Sequence, residues 1–262
     1  PSTRGQIALA YGIALATAAV VIAPMCALLW RSLTRTTPGA TRFTLAGWRA
    51  VASSTTLSAI STSMLFALCA MVIATVLGLM VALGVAYGSP RFLWLERISV
   101  LPLTVSAVTI GLGILITYDT APYDFRSAWI ITPLAHSLIA LPIVVRIVLP
   151  VVRQIPRGLQ SVASTLGATP LQTWLTVDRP LISRAIGASA AIAFAISIGE
   201  FGATSFLTRR SSETLPVTIS RLLSRPGDAL RTQAYALCVI IVVISMIAIF
   251  LIDMLRPSRK AK

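Results

Sequence analysis

Few side chains in this sequence can move protons or bind ions, and two of them lie within long apolar segments. Glu200 and His136, the single histidine, each lie near one end of such a segment. A charged group costs about 2.5 to 3.5 kcal/mol to insert into a membrane, so it usually faces a cavity or a polar partner. Antiparallel helices would place both residues at a similar depth. The pair is therefore either part of a translocation path that attracts a cationic solute, or a structural clamp in which His136 or neighbouring backbone binds Glu200.

The other reactive residue types offer little for catalysis or metal binding. Cys26, Cys69 and Cys238 lie in apolar segments without a CxxC pair or a His-rich neighbour, so we expect them to pack as small hydrophobic residues. A Walker A loop needs a lysine, and the two lysines are Lys260 and Lys262 at the end of the chain. No cluster of His, Asp and Glu suggests a catalytic site. The sequence predicts a protein that binds no metal, cofactor or ATP of its own, and it disfavours an integral-membrane enzyme.

The elements that carry these residues are predicted to be membrane-spanning helices. Of the 262 residues, 56% are hydrophobic and 11% are charged, as expected when the bilayer is the solvent. Each apolar run reaches the roughly 20 residues that a helix needs to cross the hydrocarbon, whereas a barrel would show alternating strands of about 10 residues. The sequence predicts an all-α membrane protein with one domain, residues 1–262, and six spans at about residues 6–30, 56–87, 98–117, 129–149, 181–207 and 233–255.

The net charge of +14 comes from cations in the connections between these spans. At that place anionic lipid headgroups are the expected partner, and nucleic acid is not. A six-span arrangement puts twelve Lys and Arg residues on the face with both termini and ten on the other. By the positive-inside rule this excess favours cytoplasmic termini but is too small to decide the orientation. Because the chain begins with Pro1 and not Met, we expect a trimmed chain or a piece of a longer polypeptide.

One polar connection, residues 153–180, carries its own helix start and stop signals and is called the 153–180 loop below. After Pro156 its apolar residues recur at spacings of three and four, as in a short amphipathic helix, at Leu159, Val162 and Leu166. Gly167 suits a left-handed helix end, and Thr169 with Pro170 is a good start for a second helix. The pattern predicts two short helices joined at a glycine before Pro180 opens the next span.

The spacing of residues in this loop resembles the signature of binding-protein-dependent ABC importer permeases. That signature is Glu-Ala-Ala, three residues, Gly, nine residues, Ile, one residue and Leu-Pro. The chain matches its second alanine, its glycine and its proline at Ala163, Gly167 and Pro180, with Val177 in place of the isoleucine. The chain departs from it at Ser161, Val162 and Arg179, which stand for the glutamate, the first alanine and the leucine.

A larger region, about residues 91–256, resembles the C-terminal half of the iron(III)/thiamine-type importer permeases. The most specific stretch is Ser197-Ile198-Gly199-Glu200-Phe201-Gly202-Ala203-Thr204, with further matches at Ala140-Leu141-Pro142, Thr165-Leu166-Gly167-Ala168, Thr214-Leu215-Pro216-Val217 and Leu223-Ser224-Arg225-Pro226-Gly227. The resemblance implies a type I ABC importer permease, with the 153–180 loop as a cytoplasmic coupling loop between spans 4 and 5. The chain would correspond to one six-span half, either free-standing or part of a longer permease.

The resemblance also implies a set of partners in a bacterial plasma (inner) membrane. These are two copies of a separate ABC ATPase, which binds ATP and Mg, a second permease half and an external solute-binding protein. The residues expected to couple this chain to the ATPase are Arg157, Gln160, Ser161, Ala163, Gly167, Ala168, Thr169, Asp178 and Pro180. Since Ser161 replaces the signature glutamate, we expect Arg157, Gln160 or Asp178 to replace that polar anchor.

The fifth predicted span carries small residues at every fourth position, which let helix backbones approach closely: Gly187, Ala191, Ala195 and Gly199. This stripe indicates packing within the subunit, contact with the second permease half, or both. Residues 31–55 and 208–232 form the longer loops on the other side of the membrane. Within the second, residues 214–224 are consistent with a short interfacial helix.

A secondary transporter that needs no ATPase is the alternative function. That class is expected to have discontinuous helices and ionisable residues at the membrane midplane, and the sequence shows little of either. For the importer, the resemblance implies a small solute such as iron(III), thiamine or a related cation or chelate. The solute-binding protein would largely determine which one is carried.

Overall fold

The computed structural model describes residues 4–37, 40–118, 128–209 and 212–254. The predicted all-helical architecture is confirmed, apart from one two-stranded hairpin. In chain order the elements are α1 (Arg4–Leu33), β1 (Thr34–Thr37), β2 (Ala40–Phe43), α2 (Ala46–Val51), α3 (Ser54–Tyr87), α4 (Leu93–Val100), α5 (Ala107–Tyr118), α6 (Ile131–Arg153), α7 (Arg157–Thr165), α8 (Pro170–Thr173), α9 (Arg179–Ile198), α10 (Thr204–Leu207), α11 (Leu215–Leu223) and α12 (Asp228–Met254). Short 3₁₀ turns flank α4, and a π turn lies between α8 and α9.

Five helical segments within the described part of the chain are long and apolar enough to cross a membrane. Four of them, α1, α3, α6 and α12, overlap the predicted spans 6–30, 56–87, 129–149 and 233–255, although residue 255 lies outside the described residues. The fifth runs without a break from Pro170 to Ile198, and a bent helix pair can supply a sixth span.

The third predicted span, residues 98–117, is not one helix, which corrects the sequence prediction. The segment Pro90–Thr104 and α5 meet at an angle of 99°. Pro102 lies in a 3₁₀ turn after α4, and Val105 then takes an extended conformation (φ −112°, ψ 137°) that ends the helix. α5 is 12 residues long, or about 18 Å at 1.5 Å per residue, which is short of the roughly 30 Å of hydrocarbon.

The fifth predicted span, residues 181–207, also needs correction at both ends. Its helix begins eleven residues earlier than predicted, at Pro170, and ends at Ile198. Residues 199–203 then form a turn that leads into the four-residue helix α10. Gly199 and Gly202 in that turn favour the break, because glycine lowers helix stability by about 1 kcal/mol relative to alanine.

Contacts divide the chain into two compact units, and the larger contains the described residues of 58–217 and 244–254. Its core lies where α6 packs against α9, with fully buried Val144, Val148 and Ile182 among its members. α3 approaches this core at Gly78, where an added Cβ would lie 2.5 Å from Val144 Cγ1. Glycine is therefore required by the close approach of the helices.

The smaller unit contains the described residues of 1–57 and 218–243. Within the loop 31–55, β1 and β2 form an antiparallel hairpin that the sequence analysis did not predict. α2 lies against the first turns of α12, because an added Cβ at Gly47 would be 2.6 Å from the Thr232 carbonyl oxygen. Gln233 Nε2 adds a hydrogen bond of 3.2 Å to the Ala50 carbonyl. In the second long loop, α11 forms where a short helix was expected.

Candidate functional site

The 153–180 loop begins with a helix whose two ends follow from its sequence. α7 starts after Pro156, which has an extended backbone (φ −63°, ψ 121°). It ends at Gly167, whose φ of 81° lies in the left-handed region that favours glycine. The N–H of Ala168 donates to the Ala163 carbonyl, and the N–H of Gly167 donates to the Ser164 carbonyl, both at 3.0 Å. These two bonds form a Schellman motif, so the predicted helix stop at Gly167 is confirmed.

The second helical segment of the loop starts at a capping box. The N–H of Gln172 donates to Thr169 Oγ1 at 3.3 Å, and the N–H of Thr169 donates to Gln172 Oε1 at 2.8 Å. The helix then continues through the π turn into α9, which corrects the prediction of a separate helix before Pro180. In the π turn the N–H of Arg179 donates to the Trp174 carbonyl, five residues back. This wider turn accommodates Pro180, which has no N–H to donate.

The outer surface of the loop is apolar although it faces away from the rest of the unit. Leu166 is 81% exposed and Val162 is 59% exposed, and further exposed apolar side chains are Leu159, Leu171 and Leu175. On a soluble face, a group of exposed apolar residues usually marks a contact with another protein. The loop therefore presents a surface suited to bind a partner.

The structure separates the predicted coupling residues by exposure. Those exposed are Ser161, Gly167, Thr169 and Pro180; those half-buried are Gln160, Ala163 and Ala168. Asp178 is buried, at 5% exposure, and the side chain of Arg157 lies outside the described part of the structure. Four of the eight described positions can thus contact another subunit directly.

Gln160 and Asp178 bind each other, and the buried Asp178 does not project outward; that either residue replaces the signature glutamate as an anchor to the ATPase stays a prediction. Gln160 Nε2 donates to Asp178 Oδ1 at 2.9 Å. Tyr87, the last residue of α3, donates its hydroxyl to the same oxygen at 3.3 Å. Ser161 does lie on the exposed side of α7, where its carbonyl accepts the hydroxyl groups of Ser164 and Thr165.

An ion pair fixes the start of the loop. Both terminal nitrogens of Arg153, at the end of α6, donate to the carboxylate of Glu96 in α4, at 2.6 and 3.2 Å. Both side chains are partly exposed, so the pair is worth at most about 1 kcal/mol. The pair was not predicted from the sequence, because the two residues are 57 positions apart in the chain and lie in different predicted connections between spans.

A second candidate site is a buried polar cluster around Glu200, in the turn between α9 and α10. Glu200 is 8% exposed and His136, in α6, is 1% exposed. The N–H groups of Ala203 and Thr204 donate to the two Glu200 carboxylate oxygens at 2.9 and 3.0 Å. The carboxylate therefore caps the start of α10 and stabilises the turn that ends the fifth span.

The histidine completes this cluster through both of its ring nitrogens. The Thr204 hydroxyl donates to Glu200 Oε2 at 2.7 Å, and the Glu200 carbonyl oxygen lies 3.1 Å from the same hydroxyl. His136 Nε2 is hydrogen-bonded to the Thr204 hydroxyl oxygen at 2.7 Å. His136 Nδ1 is hydrogen-bonded to the Ser197 hydroxyl at 2.7 Å. The imidazole thus connects α6 with both ends of the turn.

The structure brings Glu200 and His136 together, at 3.3 Å between Oε2 and Nε2, as the antiparallel arrangement of their helices suggested. Sequence reasoning missed Ser197 and Thr204. Their only signal was position, since they lie three residues before and four residues after Glu200. Within the described residues, no group of three His, Cys, Asp or Glu side chains could hold a metal ion.

The small-residue stripe of α9 is buried only in its middle. Ala191 is buried, Gly187 and Ala195 are half-buried, and Gly199 is exposed. The face that packs against α6 is instead formed by residues such as Ile182 and Ala193. Contact of the stripe with a second permease half stays a prediction.

Comparison with protein families gives a match over most of the chain. The model of the family described as "Binding-protein-dependent transport system inner membrane component" matches residues 74–261. That range includes both the 153–180 loop and the Glu200 cluster.

Individual relatives belong to several transport systems. The putative 2-aminoethylphosphonate transport system permease protein PhnV of Salmonella typhimurium is 30% identical over 205 residues, which are 78% of this chain and 74% of that protein. The sulfate transport system permease protein CysT of the same organism is 27% identical, covering 80% and 79% of the two chains. The molybdenum transport system permease protein ModB of Escherichia coli is 29% identical, covering 63% and 78%.

Solved structures with the same fold include a bacterial ABC transporter involved in the import of the acidic polysaccharide alginate. Its chain superposes with a TM-score of 0.71 at 16% identity, covering 95% of this chain and 96% of that one. A bacterial alginate ABC transporter in complex with an alginate pentasaccharide-bound periplasmic protein gives a TM-score of 0.70 at 14% identity, covering 94% and 93%.

Proposed function

The chain belongs to the family of binding-protein-dependent transport system inner membrane components and is a multi-pass permease subunit of an ABC importer, and we propose that the 153–180 loop couples it to a separate ATPase. The observation that carries this proposal is the exposed apolar surface of the loop, on two helical segments whose ends are fixed by Gly167 and Thr169. A rigid projecting element with such a surface suits the transfer of a displacement from one subunit to another.

The remaining subunits follow from this role. The ATPase binds ATP and Mg, and two copies serve two permease halves, of which this chain is one. An external solute-binding protein delivers the solute; a structural relative in complex with a periplasmic protein supports this part of the proposal. With the 153–180 loop on the cytoplasmic side, an even number of spans also places both termini in the cytoplasm.

The solute is small, and we favour an oxyanion. The sequence resemblance to iron(III)/thiamine-type permeases suggested a cation or chelate, but the relatives are named for 2-aminoethylphosphonate, sulfate and molybdenum transport. The charge of the smaller unit supports an anion, since its described residues 28–57 and 218–243 contain one acidic residue, Asp228, and seven exposed arginines: Arg31, Arg35, Arg42, Arg49, Arg221, Arg225 and Arg231. A surface of one sign attracts solutes of the other.

Copurification tests the coupling role. The chain is tagged and expressed with the ATPase encoded beside it, and ATPase retained on the tagged chain is measured. Leu166→Asp places a charge in the apolar surface and is expected to lower retention at least about tenfold, as the loss of a well-buried interface residue does. Phe43→Asp, at another highly exposed apolar residue, in the hairpin, is the matched control and should retain the ATPase. Retention that is equal in the two variants would contradict the proposal.

Ligand binding by the neighbouring solute-binding protein tests the solute class. Its melting temperature is measured with 2-aminoethylphosphonate, sulfate, molybdate, iron(III) and thiamine. We expect stabilisation by one of the three anions. Stabilisation by iron(III) or thiamine alone would restore the assignment made from the sequence.

A further inference from the structure

The carboxylate of Asp178 joins three elements of the larger unit through a single oxygen atom. Asp178 is the last residue of the π turn that leads into α9. Its Oδ1 accepts the amide of Gln160 in α7 at 2.9 Å and the hydroxyl of Tyr87 at the end of α3 at 3.3 Å. The loop helix α7 and two membrane-spanning helices therefore meet at one buried acceptor.

The link through Gln160 matters because α7 has few other inward contacts. Among its described side chains, only Gln160 and Ala163 are partly buried, and the rest are exposed. The two lie three residues apart, so they share one face of the helix. Gln160 supplies the polar contact of that face with the spanning helices, while the opposite face is available to the ATPase.

We propose that Asp178 is a positioning residue that transmits displacements of α7 to α3 and α9 during the ATP cycle; the inference rests on the coupling role proposed above. A buried carboxylate that loses its donors carries a large desolvation penalty, and hydrogen bonds to a charged acceptor are about twice as strong as neutral ones. When the ATPase moves α7, the Asp178 carboxylate moves with Gln160. The carboxylate in turn moves the start of α9 and the end of α3.

This arrangement explains how the chain can transmit motion without the signature glutamate at position 161. The acidic group lies on the far side of α7, at the start of α9, and acts within the permease. The external surface of α7 then needs only to fit the ATPase. Binding of the ATPase and transmission of its movement thus depend on different residues.

Nucleotide-dependent labelling of a cysteine measures this transmission without knowledge of the solute. Cys26, Cys69 and Cys238 are replaced by alanine, and Gly199→Cys adds one thiol at the end of α9 away from the loop. Gly199 is exposed, and an added Cβ there meets only the Ala195 carbonyl oxygen, at 3.6 Å. In the complex with its ATPase, the rate of maleimide labelling is measured without nucleotide and with MgATP plus vanadate.

The parent is expected to change its labelling rate when nucleotide is added. Asp178→Asn keeps the shape but loses the charge, and Gln160→Met removes one donor at a partly exposed position while Tyr87 remains as the other donor to Asp178. Each should reduce the nucleotide-dependent change in labelling rate at least about fivefold, which is the lower end of the usual range for coupling between two sites. The double variant should behave like either single one, because both substitutions act on the same hydrogen-bonded link, which Asp178→Asn weakens and Gln160→Met removes. Asp228→Asn, the same chemical change at the start of α12, is the control and should respond like the parent.

Three results would overturn the inference. One is a parent-like response in both Asp178→Asn and Gln160→Met. Another is additive loss in the double variant, which means the residues act separately. The amount of copurified ATPase is measured in every sample, and the third result is loss of the ATPase from both variants, because it makes the residues docking contacts. If the parent itself neither retains an ATPase nor responds to nucleotide, the coupling role fails, and this outcome is distinct from the other three.

Discussion

Two buried carboxylates, Asp178 and Glu200, perform different tasks at the two ends of the fifth span. Asp178 accepts from side chains of other elements, whereas Glu200 accepts mainly from the backbone and side chain of its own turn. The first can transmit movement between helices, and the second stabilises a local turn. Burial of an acidic residue in a membrane protein is thus not sufficient to identify a solute path.

Substitution of Glu200 tests its structural role. Glu200→Gln puts an NH2 group either against the Ala203 N–H or against the N–H and hydroxyl of Thr204, so at least one buried donor loses its acceptor, at a cost of about 1 to 3 kcal/mol. We expect a lower melting temperature in detergent. Glu96→Gln makes the same change in a partly exposed ion pair and should lower stability by at most about 1 kcal/mol. An unchanged melting temperature together with lost transport would instead indicate that Glu200 contacts the solute.

The conformation of Gly167 gives a prediction about coupling. Nothing lies within 4 Å of an added Cβ there, so Gly167→Ala causes only backbone strain, about 1 to 2 kcal/mol for a left-handed residue. The strain disturbs the junction of the loop helices, and we expect ATP-driven uptake to fall about fivefold or more while the melting temperature falls only slightly, as this strain requires. Gly158→Ala in α7 has equal space and ordinary φ, and uptake should be unaffected. Equal uptake in the two variants would refute the importance of this junction.

At the scale of elements, the break in the third span brings α5 against the turn that Glu200 stabilises. Gly111 of α5 touches Ala203, because an added Cβ would lie 2.5 Å from the Ala203 Cα atom. The atoms that the added Cβ would meet are backbone atoms of Ala203, which cannot move aside as a flexible side chain can. The close approach therefore fixes α5 and α10 relative to each other within the larger unit.

A pair of glycine substitutions in α5 tests this contact. Gly111→Ala overpacks it and is expected to destabilise the protein by about 1 to 3 kcal/mol. Gly113→Ala, two residues further along the same helix, has nothing within 4 Å and should be neutral or slightly stabilising. Thermal unfolding in detergent gives both values. The contact is unimportant if the two variants melt at the same temperature.

The sequence predicted where helices form better than it predicted where they bend or continue into one another. Long apolar segments identified α1, α3, α6 and α12. In lipid every backbone N–H and C=O group needs a hydrogen-bond partner within the protein, and a helix supplies those partners within one segment. The 99° bend after Pro102 was not predictable from composition, since residues 98–117 are apolar on both sides of it. The continuation of α8 into α9 was missed because a proline normally starts or ends a helix, and a π turn with room for it has no sequence signal.

The candidate site shows the same limit at finer detail. Gly167 was identified because a left-handed helix end requires a particular residue type at a particular place. The bond between Gln160 and Asp178 depends on how two segments pack, and eighteen residues separate the partners. The interpretation of both as external contacts followed from their polarity alone. Residue type therefore predicted which residues matter better than it predicted what they touch.

For the whole molecule, family membership and fold agree on the permease subunit of an ABC importer. In the proposed function, the helices supply a scaffold of spans, the 153–180 loop supplies a surface for a separate ATPase, and exposed arginines of the smaller unit supply charge that attracts anions. A secondary transporter, the alternative function considered from the sequence, needs no ATPase and therefore needs no projecting apolar loop to bind one. ATP dependence separates the two functions.

Uptake by reconstituted vesicles tests the central claim most directly. The chain is purified with its ATPase, inserted in liposomes with MgATP on the side of the 153–180 loop, and supplied with the solute-binding protein and its labelled ligand on the other. The account predicts uptake that requires both MgATP and the binding protein and that falls about fivefold or more in Gly167→Ala. Uptake by the chain alone, driven by an ion gradient without ATPase or nucleotide, would contradict it.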